Sequence, residues 1–117
     1  MGVRADQAVN NHKSFNTCSG SVLMAFADKI GISEDEAKKI AAPFAGGRMG
    51  KCGAVMSGEY VLEQLYGADA PDKIAEYEAA FLQSKNGAKG SVMCSDLRGN
   101  CRACVTDAAR ILEDMIG

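Results

Sequence analysis

With 117 residues, 47% of them hydrophobic, the chain has material for a single domain, residues 1–117, around one core. Its 13 basic and 15 acidic side chains are intermingled and sum to -2, which leaves no electrostatic footprint for nucleic acid or an anionic membrane. No apolar run approaches the roughly 20 residues that span a bilayer, and Met1-Gly2-Val3-Arg4-Ala5-Asp6 does not resemble a secretory signal, so the cytoplasm is the expected location.

Residues 1 to about 15 read as a helix of poor periodicity ending near Phe15-Asn16. The one histidine, His12, sits between Asn11 and Lys13 and reads as a solvated surface residue. Asn16 or Thr17 caps a second helix in which Cys18, Val22, Phe26 and Ile30 form an i, i+4 line with Leu23 beside it. Gly31 ends that helix, and Ser33-Glu34-Asp35-Glu36 is a capping box for a third that runs to about Phe44. Ala37, Ile40, Ala41 and Phe44 form its inner face, with Lys38 and Lys39 outside.

The loop Ala45-Gly46-Gly47-Arg48-Met49-Gly50-Lys51 allows close approach of backbone amides to a bound group. It is not a phosphate loop, because Gly50-Lys51 runs into Cys52 where a Walker A motif needs Ser or Thr. A helix from Cys52 to about Tyr66 follows, with Val55, Met56, Leu62 and Leu65 inward and a small-residue start at Gly53, Ala54, Ser57 and Gly58. Asp69-Ala70-Pro71-Asp72 opens a fifth helix with Ile74, Tyr77, Glu78 and Phe81 on one face. Ser84 to Gly90 is a polar connection leading to Cys94. Behind Asn100, an N-cap, Cys101, Cys104, Val105, Ala108, Ile111, Leu112 and Met115 share the inner stripe of the last helix. With no sustained two-residue alternation anywhere, the fold expected is an all-α bundle of five to six helices.

Five cysteines are too few and too unevenly spaced for a secreted disulfide framework; in a reducing compartment such a set binds metal or cycles redox state. Cys18, Cys52, Cys101 and Cys104 each fall at the start of an expected helix, where unpaired amides and the positive end of the dipole favour a thiolate, and Cys94 lies just before the last one. The cations Arg48, Lys51, Arg98 and Arg102 would offset the charge of gathered thiolates. Cys101-Arg102-Ala103-Cys104 precedes Val105 and not histidine, so it is no c-type haem site, and without strands around it a thioredoxin-like role is disfavoured. Structural zinc asks for a second close pair, whereas Cys18, Cys52 and Cys94 are singles, so zinc ranks second. An iron–sulfur cluster tolerates dispersed cysteines and takes four thiolates.

Cys18 ahead of a helix, the glycine loop Gly46 to Gly50, Cys52-Gly53-Ala54-Val55, and then Cys94, Leu97, Cys101 and Val105 resemble the C_GCAxxG_C_C family of redox-active proteins, over about Asn16 to Ile116. The resemblance implies an all-helical, redox-linked domain, related to the iron–sulfur domain of split-Soret-type cytochromes. It implies Cys18, Cys52, Cys94 and Cys101 as ligands, with Cys104 as substitute or resolving thiol. In the family pattern a glycine stands five residues after the central cysteine; here Ser57 takes that place and Gly58 follows.

The reading is therefore an iron–sulfur protein, [2Fe–2S] by preference, passing electrons to a redox partner protein, with amides of Gly50, Gly53 and Ala54 against the cluster sulfurs. A homodimer sharing the cluster is compatible with it. The rivals are a thiol–disulfide protein or sensor using Cys101, Cys104 and Cys52, and a structural zinc-binding or interaction domain with inert cysteines. No acid/base pair, nucleophile triad or nucleotide fingerprint points to a substrate-converting reaction.

Overall fold

The computed structural model describes residues 3–14, 16–47, 53–83 and 101–116, the side chains of 45–47 and 101–103 excepted. Among these residues there are helices and turns and no strand, in agreement with the all-α expectation. The α-helices are α1 (Val3–Lys13), α2 (Cys18–Ala25), α3 (Glu34–Ala41), α4 (Gly53–Tyr66), α5 (Ala70–Leu82) and α6 (Cys101–Ile116). Short 3-10 turns cover Ala27–Ile30, Ala42–Gly47 and Gly67–Asp69. No described helix is long and apolar enough to cross a membrane.

The helix starts are local chemistry. Thr17 caps α2 by accepting the amide of Gly20 at 3.0 Å, and Ser33 caps α3 by accepting that of Glu36 at 3.1 Å. Pro71 stands in the first turn of α5, where a missing N–H costs nothing. The stops come earlier than the periodicity predicts. The second helix leaves α geometry at Phe26, and the line continues to Ile30 as a 3-10 turn closed by Gly31 at φ 73°. α3 gives way after Ala41, because Pro43 has no N–H to donate back to the preceding turn.

α2 is the hub, touching α1, α3, α4 and α6. Ser19, Gly20, Ser21, Val22, Leu23 and Ala25 are all buried, so it is enclosed by protein on nearly every side. A single apolar cluster joins Val22, Leu23 and Phe26 to Val55, Val61 and Leu62 of α4, Tyr77 and Phe81 of α5, and Val105, Ala108 and Leu112 of α6. Leu65, predicted inward, is 39% exposed, and Val61 is fully buried in the core instead. α1 contributes only Ala5 and Ala8 to the core, which is why its sequence shows so little periodicity. Polar contacts hold it in place. Arg4 donates to Ala25 O at 2.8 Å and to both Asp28 oxygens at 2.6 and 2.8 Å, and lies over the Phe26 ring.

Tyr77 ties α5 to two neighbours. Its ring is fully buried, its hydroxyl donates to Ala108 O at 3.2 Å, and it lies so close over Gly58 that a β-carbon there would overlap the ring and the hydroxyl. The glycine after Ser57 is thus dictated by packing.

Candidate redox site at the helix fronts

Three helices begin on the same side of the bundle, and the contacts between them establish it. α1 packs against α2 and α6. At its start Arg4 meets the end of α2, while near its finish the Asn11 amide donates to Ser21 O at 3.2 Å, so α1 and α2 are antiparallel. The same start of α1 receives the end of α6: the amides of Arg4 and Ala5 donate to the Glu113 carboxylate at 3.1 and 3.5 Å. The back ends of α2 and α6 therefore meet across α1, and their front ends point the same way. α4 starts beside the front of α2, where Ser57 Oγ donates to Ser19 O at 2.8 Å, and then runs on to the turn Ala27–Ile30. At the level of Tyr77, Gly58 and Ala108 stand about 7 and 10 Å along their helices from Gly53 and Cys101, at 1.5 Å per residue.

The tightest contact at this end surrounds Gly53. A β-carbon on it would lie 2.9 Å from Phe44 O, 3.0 Å from Cys18 Sγ and 3.1 Å from Ser19 Cβ. Glycine is required there because sulfur and carbonyl already fill the space. The first helical residue of α4 consequently lies against the thiol of the first residue of α2. Cys18 is half-buried behind the Thr17 cap. Phe44, whose carbonyl completes the crowding, is held against Tyr60 of α4 with ring centroids 6.3 Å apart.

Buried hydroxyls fasten this corner, and the hydrophobic pattern gave no hint of them. Ser19 Oγ donates to Ala41 O at 2.9 Å, joining the front of α2 to the back of α3, and stands 3.3 Å from Thr17 Oγ1. Ser21 Oγ turns back to Thr17 O at 2.6 Å. The sequence signal was Ser19 and Ser21 inside an apolar run, together with Ser57 in a glycine's place.

The predicted site residues divide as follows. Cys18 stands at the first position of α2, Cys101 begins α6, and Gly53 and Ala54 open α4, both buried. Gly53 lies against the thiol of Cys18. Cys104 lies one turn into α6, fully buried beside Val105 and Ala108 in the core cluster. Cys52, Cys94 and Gly50, the cap Asn100, the cations Arg48, Lys51 and Arg98, and the side chains of Cys101 and Arg102 lie outside the described residues. Among the described residues no group of three or more His, Cys, Asp or Glu side chains is placed to hold a metal ion. His12 is half-exposed at the far end of α1 from Arg4.

Residues 16–115 match the family described as "Putative redox-active protein (C_GCAxxG_C_C)", and the chain belongs to that family. No curated protein and no solved structure matches it. The match begins just before α2 and leaves α1 outside it.

Proposed function

We propose that this protein is an electron carrier built around an iron–sulfur cluster, [2Fe–2S] by preference, with Cys18, Cys52, Cys94 and Cys101 as ligands. The observation that carries the reading is the contact of Cys18 Sγ with Gly53, the residue covalently joined to Cys52, at an end of the bundle where α6 also begins with Cys101. The donor chemistry fits: soft thiolates suit iron–sulfur centres, and Gly53 leaves the sulfur of Cys18 a space that any other residue would fill. When bound, the cluster supplies one-electron storage at a potential set by its surroundings.

The chain's own residues do the rest. In this reading the amides of Gly53 and Ala54, at the described start of α4, are the donors offered to anionic sulfur. Phe44 is held by its ring against Tyr60 of α4, and the hydroxyl bonds around Ser19 fix the turn that carries Cys18. Cys104 belongs in this account to the core. The carrier would exchange single electrons with a partner protein.

Anaerobic reconstitution with iron and sulfide tests the proposal. Visible absorbance and about two irons and two sulfides per chain are expected, or about one of each if a homodimer shares the cluster. Protein that stays colourless and binds no iron overturns it.

A further inference from the structure

We infer that Ser57 is a positioning residue that sets the exposure of the Cys18 thiol. Its buried hydroxyl donates to Ser19 O at 2.8 Å, crossing from α4 to the carbonyl of the residue that follows Cys18. Ser19 in turn holds Ala41 O at 2.9 Å, so the first turn of α2 is clasped from α4 on one side and from the end of α3 on the other. The clasp lies one helical turn from Gly53, which touches Cys18 Sγ. Cys18 stands at an end of α2, where helices fray most readily, yet it is only half-exposed. Removing the Ser57 hydroxyl removes a side-chain hydrogen bond that joins this turn to α4. The inference rests on the reading of Cys18 as a functional thiol, but the clasp itself needs no cofactor.

The test is alkylation of the cofactor-free, full-length protein by iodoacetamide, with labelling at Cys18 and Cys104 resolved by mass spectrometry. Ser57→Val and Ser57→Thr form an isosteric pair that differs only in the hydroxyl, and Ser57→Ala removes it without added bulk. Loss of one neutral hydrogen bond shifts an opening equilibrium about fivefold, so Cys18 is labelled about five times faster in Ser57→Ala, and faster in Ser57→Val than in Ser57→Thr. Cys104, fully buried, stays protected and reports that the core is intact. Cys18 labelling at the wild-type rate in Ser57→Ala, equal rates in the Val and Thr variants, or parallel gains at Cys18 and Cys104 each overturn the inference. Failure to bind a cluster would overturn the electron-carrier reading and leave these rates unchanged.

Discussion

Gly58→Ala is the sharpest test of the packing that supports the site. Alanine in place of a helical glycine ordinarily stabilises by about 1 kcal/mol. Here the added methyl would occupy the space of the Tyr77 ring and hydroxyl, and the ring is fully buried with no room to retreat. Overpacking of that kind costs about 3 kcal/mol, and displacing the ring also endangers the 3.2 Å bond from Tyr77 to Ala108 O, a further loss of about 1 kcal/mol. After the propensity gain the expected change is a net destabilisation of about 3 kcal/mol, read by urea unfolding followed with far-UV circular dichroism. The same substitution in a Tyr77→Leu background, where the outer ring and hydroxyl are gone, is expected to be close to neutral or stabilising, giving a coupling of about 3 kcal/mol. Gly58→Ala that stabilises the otherwise wild-type protein would refute the reasoning, because it would mean that the helix propensity term stands alone.

Other outcomes follow from the same contacts. Gly53→Ala forces a methyl to within 3.0 Å of Cys18 Sγ and 2.9 Å of Phe44 O; it should cost about 1–3 kcal/mol by thermal unfolding and lower iron uptake, and unchanged uptake would detach Gly53 from the site. Hydrogen bonds from the Arg4 guanidinium, aided by its charge, hold the Asp28 carboxyl down at about 2. A carboxylate whose folded value is depressed contributes stability above its unfolded value near 4 and loses it as pH falls toward 2, so wild type should lose its advantage over Asp28→Asn across that window. Because Asp28 is 72% exposed, the advantage is no more than about 1 kcal/mol, and a difference that persists unchanged at pH 2 would contradict the pairing. Cys104→Ser sets a hydroxyl among the apolar side chains of the core and should cost about 1–3 kcal/mol, read by urea unfolding, and unchanged stability would contradict its place there.

Much of the fold was legible because helix signals are local. Ser33 three residues before Glu36, Gly31 after Ile30, and Pro71 in a first turn each mark a boundary through chemistry within one turn of chain. The inward stripe of α6 was read correctly at Cys104, Val105, Ala108, Ile111 and Leu112, since 3.6-residue periodicity suffices when one face is buried. α2 defeated that logic: a helix enclosed on nearly all sides has no stripe, and its serines are buried because their hydroxyls find acceptors at the end of α3 or in their own turn while their carbonyls accept from Ser57 and Asn11, which no single-segment pattern encodes. α1 was faint for the opposite reason. Two alanines and an arginine clasp hold it, and the partners of Arg4 lie 21, 24 and 109 residues away in the chain. Of the site, Cys18 at the start of α2 could be read from the Thr17 cap, but its contact with Gly53 depends on how two helices cross.

Iron bound per chain by Cys18→Ser and Cys104→Ser, each reconstituted anaerobically beside the wild type, is the measurement that meets the central claim most directly. A cluster held at the helix fronts predicts that the first variant loses most of its iron and colour, while the second keeps both in its folded fraction. Full iron content in Cys18→Ser, with the metal lost in Cys104→Ser instead, would contradict the account.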